Sequence, residues 1–179
     1  MEYIGKRISV KRMDDEVSIV ILSSVDKKKN LLLFIWFLLW TISGIIVMSQ
    51  FFLIKQEDTR AAMLVWMGFW AYFEYKIFKV YFWRKYGVEK IKIRQGKLFY
   101  KRDVAGKGKI KEYPVKEISE LRTREAVEKS FAETLNQSYW VIAGEALLFD
   151  HNDRDVKFGI QLDDADAKAL LKVIKGALK

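Results

Sequence analysis

The chain has 179 residues, 51% of them hydrophobic, and a formal net charge of +9. It contains no cysteine, which excludes a disulfide framework, a cysteine metal site and a cysteine nucleophile. The basic balance suits anionic lipid or nucleic acid, but the sequence carries no nucleic-acid motif, so we expect no nucleic-acid partner.

Residues 1–30 predict an N-terminal β ribbon. Two short runs with β propensity, Arg7–Arg12 and Val17–Leu22, flank a turn at Asp14-Asp15. A two-stranded ribbon is marginally stable by itself. We therefore expect this ribbon to pack on the soluble domain that follows the membrane segment.

Two apolar runs predict a transmembrane helical hairpin over residues 31–83. The first run, 31–54, has no charged residue in twenty-four positions, and the second covers 61–83. A helix of this length can cross a hydrocarbon core of about 30 Å. The linker 55–60 is short, so the two helices are expected to be antiparallel neighbours. About thirty mostly polar residues precede the first run, which argues against a signal peptide.

Basic residues next to the predicted spans indicate the orientation of the chain. Lys27, Lys28 and Lys29 precede the first run, and residues 84–124 hold fourteen Lys/Arg against five Asp/Glu. Positive charge flanking a span favours the cytoplasmic side. Both termini are therefore expected in the cytoplasm.

Short strands with turn residues between them follow Gly87. Seven are predicted, and they favour an antiparallel barrel or sandwich; they cover 88–94, 97–103, 109–113, 117–123, 138–142, 146–150 and 156–161. Residues 163–178 then change to helical periodicity. We expect this helix to close the barrel; the alternative is an amphipathic helix lying on the membrane. Residues 125–136 are interpreted as an excursion with one or two helical turns.

Several residues near the second run are candidate contact sites. Lys76, Lys79, Arg84 and Lys85 are expected at the membrane interface, near lipid headgroups. Glu74 lies about 21 Å along the predicted helix from Arg60, so it sits at the interface or meets a partner on another subunit. Large aromatic side chains in the spans could face lipid, a pigment, a quinone or protein; candidates for protein contact are Trp36, Trp40, Trp66 and Trp70.

Catalytic and metal chemistry have little support in the sequence. Asp163, Asp164 and Asp166 suit a helix start without any further role. His151 has no second histidine as a co-ligand and lies among turn residues. Residues 106–109 lack the ending of a phosphate-binding loop. We therefore expect no enzyme activity, no cofactor and no metal site.

Several segments resemble a bacterial family of small membrane proteins with a pleckstrin-homology-like (PH-like) domain. The matching segments are Phe34–Trp40, Lys111–Tyr113, Ile118, Leu121-Arg122, Leu147–Asp150, Lys157–Gly159 and Leu162–Lys168. The resemblance implies an α+β membrane protein of the bacterial inner membrane. In it a two-helix transmembrane hairpin (31–54 and 61–83) precedes a cytoplasmic seven-stranded PH-like barrel over 87–179, capped by a C-terminal helix.

The resemblance points to a binding role and to no reaction. Specific inositol-phosphate binding is not expected, because the Gln95-Gly96 connection is too tight to wrap a headgroup. The leading hypothesis is an accessory, assembly or scaffold subunit of a larger integral-membrane complex, with membrane lipids and other subunits as partners. The alternative is a cytoplasmic-face sensor of anionic lipid headgroups. Self-association is left open.

Overall fold

A computed structural model of the chain describes residues 1–23, 26–124 and 141–178. The N-terminal part contains β1 (Glu2–Ile4), β2 (Ile8–Met13), β3 (Glu16–Leu22), α1 (Lys27–Phe51) and α2 (Glu57–Tyr86). The rest contains β4 (Gly87–Arg94), β5 (Lys97–Val104), β6 (Ile110–Pro114), a 3₁₀ turn (Val115–Glu117), β7 (Ser119–Thr123), β8 (Glu145–His151), β9 (Arg154–Ile160) and α3 (Asp164–Ala177).

The chain divides into two compact units. The helical unit is Asp26–Arg84, and the β unit combines Met1–Val25 with Lys85–Lys179. The β unit has a six-stranded antiparallel sheet in sequence order β1 to β6 and a three-stranded sheet in the order β7-β8-β9. The helical unit is thus an insertion between β3 and β4, which pair directly from Leu22↔Val88 to Glu16↔Arg94.

Alternating apolar residues build the core of the β unit. Ile19 and Ile21 in β3 and Ile91 and Ile93 in β4 are buried, while Lys90 and Arg94 are exposed. This is the period of two expected of a sheet with one face on the core. The core is completed by residues of the second sheet and α3, among them Leu147, Phe149, Phe158, Leu170 and Ile174.

Two-residue turns set the register of the hairpins. Gln95 and Gly96 both have positive φ, 49° and 70°, and connect β4 to β5. Asn152 and Asp153, with φ of 53° and 59°, connect β8 to β9. Paired left-handed residues match the right-handed twist of a hairpin. The sequence predicted a tight Gln95-Gly96 connection and turn residues around His151, and both predictions are confirmed.

The C-terminal helix packs on the β unit as predicted. The Asp163 Oδ1 atom accepts a hydrogen bond from the Asp166 backbone N–H at 2.8 Å and caps α3. Ala167, Leu170 and Ile174 are buried on one stripe, and α3 contacts β1, β7 and β8. A helix is therefore present where the sequence predicted one, and it packs on the β unit, but it does not close a barrel.

The helices α1 and α2 pack side by side in opposite directions. Asp26 caps α1 by accepting hydrogen bonds from the N–H groups of Lys28 and Lys29. Ring contacts join Phe34 to Tyr81 with centroids 5.5 Å apart and Phe37 to Phe78 at 6.2 Å. Nearer the connection between the helices, the Arg60 guanidinium lies 5.0 Å from the Phe51 ring.

The predicted pair of transmembrane spans is wrong. Among the described residues, α1 alone is long and apolar enough to cross a membrane, judged by length and composition. In α2 the uncharged stretch between Arg60 and Glu74 is thirteen residues, about 20 Å of helix. That is shorter than a hydrocarbon core of about 30 Å. The sequence interpretation overestimated the apolar length of the second run, 61–83, because it counted tryptophans, tyrosines and charged residues together with the aliphatic residues.

The predicted seven-stranded PH-like barrel is also wrong. The described residues form nine strands in two sheets, and β4, β5 and β6 belong to the sheet that the N-terminal strands begin. Because β3 pairs with β4, the N-terminal ribbon belongs to the same sheet as β4, β5 and β6. The sequence interpretation had instead assigned β4, β5 and β6 to a separate closed barrel. β1 was not predicted. The expected helical excursion at 125–136 lies outside the described residues, as does most of the strand expected at 138–142; Val141 and Ile142 are not in a strand.

Substitution of Gly44 provides a test of how closely α1 and α2 pack. A Cβ atom at Gly44 would overlap the indole of Trp70, whereas a Cβ atom at Gly68 would meet nothing within 4 Å. Alanine is favoured over glycine in a helix by about 1 kcal/mol. We expect Gly68→Ala to stabilise the helical unit slightly and Gly44→Ala to destabilise it by about 1–3 kcal/mol, because overpacking displaces the indole. Thermal unfolding of both variants in a mild detergent, followed by tryptophan fluorescence, measures the difference. Equal shifts for the two variants would contradict close packing at Gly44.

Candidate functional site

The four cations predicted to meet lipid headgroups differ in exposure. Lys76, Lys79 and Lys85 are exposed, whereas Arg84 is buried, with 3% of its surface accessible. The Lys76 ammonium lies 5.3 Å from the Tyr72 ring, and the Lys85 ammonium lies 5.1 Å from the Tyr86 ring. Three of the four side chains therefore stand on the surface, where a headgroup could reach them.

Glu74 meets a polar partner within its own chain. Its Oε1 atom accepts a hydrogen bond from the Thr41 hydroxyl at 2.7 Å, and Thr41 lies near the middle of α1. The Glu74 Oε2 atom is buried and has no hydrogen-bond partner among the described residues. Thr41 was not singled out in the sequence, because a lone threonine in an apolar run also satisfies itself by bonding the preceding turn, as it does here with the Phe37 carbonyl.

The four candidate tryptophans divide between packing and exposure. The Trp70 indole N–H donates to the Trp40 carbonyl oxygen at 3.3 Å, and the rings of Trp36 and Trp40 stack with centroids 5.4 Å apart. Trp36 and Trp66 each keep 39% of their surface exposed. Trp40 and Trp70 thus join the two helices, and Trp36 and Trp66 lie on the outer surface of the helical unit.

The β unit contains a cleft of about 570 Å³ lined by residues of both sheets. We call it the basic cleft. One wall consists of alternate residues of β5 and of the β6 segment, Tyr100, Arg102, Lys109, Lys111 and Tyr113. The other wall consists of His151 and four consecutive residues of β9, Arg154, Asp155, Val156 and Lys157. Five Lys/Arg side chains face one carboxylate, so the cleft carries a strong positive charge.

Most of these cations are not neutralised within the β unit. Within the described part of the chain, Lys109, Lys111, Arg154 and Lys157 form no ion pair. Nearby lysines outside the cleft do: Lys90 and Lys101 both contact Asp103, at 2.7 and 3.2 Å, and Lys90 holds the pKa of Asp103 below its usual range. The cleft therefore holds four cations without an ion pair against one carboxylate, which favours an anionic ligand.

A buried carboxylate ties the two sheets together behind the cleft. Glu89 in β4 is 1% exposed and accepts three hydrogen bonds. They come from the N–H groups of Gly159 and Ile160, at 2.8 and 2.9 Å, and from the Tyr100 hydroxyl at 3.0 Å. Gly159 has a φ of 73°, which turns two successive N–H groups toward one anion. Burial, with the Glu89 charge adding to it, raises the pKa of Tyr100, so its hydroxyl stays a donor.

Arg102 continues this network to the rim of the cleft. Its Nε atom donates to the Tyr100 oxygen at 2.7 Å, and its Nη2 atom donates to Glu145 at 2.9 Å and to the Lys157 carbonyl at 3.2 Å. Arg102 therefore bridges β5 to both β8 and β9. It fixes the width of the cleft and contributes less free charge than the four lysine and arginine side chains without ion pairs.

The site was not found from the sequence, although one signal was present. Glu89 occupies the same face of β4 as Ile91 and Ile93, and a carboxylate on the apolar face of a strand requires buried partners. The basic cleft itself had no such signal, because its walls come from β5, β6, β8 and β9 and its lysines look like an ordinary solvated face.

Comparisons of the chain with protein-family models, with curated proteins and with solved structures found no match. The resemblance to the bacterial PH-like membrane family therefore stays a prediction.

Proposed function

We propose that this chain is a non-catalytic, membrane-anchored binding protein that serves as an accessory, assembly or scaffold subunit of a larger integral-membrane complex. The basic cleft carries the proposal, because unpaired cations in a preformed cleft favour an anionic partner element. Tyr100 and Tyr113 in its lining are almost fully buried, with 6% and 7% of their surface accessible, so the lysine and arginine side chains present the binding groups.

The arrangement of the sheet supports a location at one face of a membrane. α1 is the candidate anchor. Because β3 and β4 are hydrogen-bonded neighbours, the chain leaves the six-stranded sheet before α1 and returns to the same sheet after α2. One crossing by α1 alone would separate β3 from β4, so we propose that α1 anchors the chain from the side on which the whole β unit lies. Lys27, Lys28 and Lys29 in the first turn of α1 favour the cytoplasmic side of a bacterial inner membrane.

Gentle extraction tests this proposal. The native protein, extracted in a mild detergent, should run in a large, defined particle with fixed partners. Reversing two cleft charges, Lys111→Glu with Arg154→Glu, should release the chain from that particle. The matched control, Lys11→Glu with Lys168→Glu, changes two exposed lysines outside the cleft and should leave the particle intact. A lone 21.1 kDa species or a small homo-oligomer from unaltered cells would overturn the subunit proposal.

The second candidate function is a sensor of anionic lipid headgroups. The exposure of Lys76, Lys79 and Lys85 favours it. A sensor should be extracted alone, and its binding to phosphatidylglycerol vesicles should weaken as salt is raised. Neutralising Lys85 should lower that binding. In a complex subunit the same substitution should leave the size of the particle unchanged.

A further inference from the structure

We propose that the basic cleft accepts an extended acidic segment of a partner protein, which adds as a strand to the free edge of β9. This inference rests on the proposed function and specifies how the partner is held. β9 is an edge strand of the three-stranded sheet, with β8 on its other side.

The lining of the cleft shows that it follows a strand edge. Successive side chains of a strand point to opposite faces of the sheet. Four consecutive residues, 154–157, nevertheless line this one cleft. A cleft can border both faces of a strand when it runs along the edge, where the backbone N–H and C=O groups are also within reach.

The hairpin register identifies the backbone groups at that edge. The two-residue turn makes His151↔Arg154 the closing pair, followed by Asp150↔Asp155, Phe149↔Val156 and Leu148↔Lys157. In an antiparallel ladder these pairs alternate between hydrogen-bonded and non-hydrogen-bonded. The backbone groups of Asp155 and Lys157 therefore face away from β8. The Lys157 carbonyl confirms this, because it accepts the hydrogen bond from Arg102 across the cleft.

The edge of β9 is already hydrogen-bonded toward its C-terminal end and is open near its start. Side chains of the six-stranded sheet take the Lys157 carbonyl, the N–H groups of Gly159 and Ile160, and the carbonyls of Ile160 and Gln161. Among the described residues, nothing bonds the outward N–H and C=O of Asp155. An exposed edge of this kind pairs readily with an added strand.

Charge selects the composition of the added strand. A strand on the edge of β9 would present alternate side chains to the wall that carries Lys109 and Lys111. Acidic residues at every second position would pair with these cations, and like charges there would be repelled. Backbone pairing with Asp155 gives affinity, and the lysines give selectivity for acidic residues.

The test uses the full chain in phosphatidylcholine nanodiscs and a fluorescent peptide of sequence Glu-Val-Glu-Val-Glu-Val-Glu. We expect this peptide to bind, and a Lys-Val repeat to fail. N-methylation of alternate peptide nitrogens, which removes the edge-pairing donors and keeps the charges, should weaken binding about tenfold or more.

Two variants of Asp155 form the matched protein test. Asp155→Ala removes the one carboxylate of the cleft and keeps the N–H group, so the peptide should bind at least as tightly as before. Asp155→Pro removes the same carboxylate and the outward N–H group without touching the bonds to β8, and should bind about tenfold more weakly. If Asp155→Pro does not fold, judged by its β-sheet amide I band, the methylated peptide decides.

The outcomes separate the two proposals. Equal binding of the methylated and unmethylated peptides, together with weaker binding by Lys111→Glu/Arg154→Glu, overturns strand addition and leaves the basic cleft of the proposed function standing as a site for an anionic partner. If the Lys111→Glu/Arg154→Glu variant binds the peptide as tightly as the unaltered chain, both the strand-addition proposal and the proposed role of the basic cleft are overturned. Displacement of the peptide by phosphatidylglycerol vesicles, lost in the same double variant, makes a lipid headgroup the occupant and overturns the peptide proposal.

Discussion

Replacing Glu89 with alanine is expected to lower the unfolding free energy of the β unit by about 3–5 kcal/mol, because three buried donors lose their shared acceptor. The substitution leaves the N–H groups of Gly159 and Ile160 and the Tyr100 hydroxyl without their acceptor. A buried donor without an acceptor loses about 1–3 kcal/mol. Thermal or denaturant unfolding of the full chain in a mild detergent, followed by the β-sheet amide I band, measures the loss.

Glu112→Ala is the matched control for this prediction. Glu112 pairs with Lys97 at 2.5 Å, but both side chains are about half exposed. An exposed pair of this kind contributes about 1 kcal/mol or less. Glu89→Gln should lie between the two, because the amide keeps one acceptor and turns a donor toward the backbone N–H groups. Similar losses for Glu89→Ala and Glu112→Ala would show that Glu89 does not hold the sheets together.

Local patterns predicted most strands of the β unit and its C-terminal helix, but they missed β1 and the assembly of the sheets. Alternation at Ile91 and Ile93 and the Gln95-Gly96 turn depend on neighbouring residues, and such signals are readable from one sequence. The pairing of β3 with β4 depends on residues separated by the whole helical unit. No local periodicity encodes that pairing, so the strands after Gly87 were placed in a barrel of their own.

The helical unit was misjudged for a different physical reason. The run 61–83 has the length of a span, but it mixes aliphatic residues with indole, phenol and charged groups. Aromatic side chains with a polar group are enriched at the membrane–water interface, where the polar end can contact water. Counting them as fully apolar extended the predicted span past Glu74. The basic cleft was missed because its charge is a property of the tertiary arrangement.

Replacing Arg7 with methionine is expected to destabilise the β unit by about 2–3 kcal/mol, since hydrogen bonds to charged groups are worth about 1.5–3 kcal/mol. One guanidinium group bonds four carbonyl oxygens, those of Leu22, Ser23, Ile160 and Gln161, at 2.5–3.0 Å. It therefore joins the end of β3 to the end of β9. Methionine keeps the apolar stem and removes all five donors.

Arg7→Lys should recover little of this loss, because a single ammonium cannot span both strand ends as the planar guanidinium does. Arg12→Met is the control, since Arg12 makes an exposed ion pair with Glu2 at 3.7 Å. Unfolding of these variants under the same conditions measures each effect. A loss for Arg7→Met no larger than that for Arg12→Met would contradict the prediction.

Combining Arg7→Met with Glu89→Ala should give less than the sum of the single losses. Glu89 holds the N–H group of Ile160 and Arg7 holds its carbonyl oxygen, so each side chain positions the same peptide segment for the other. Residues that share a partner are coupled by about 0.5–3 kcal/mol. Once either side chain is gone, the end of β9 is free to move and the other loses its geometry. Strict additivity in a double-mutant cycle would instead make them independent ties between the sheets.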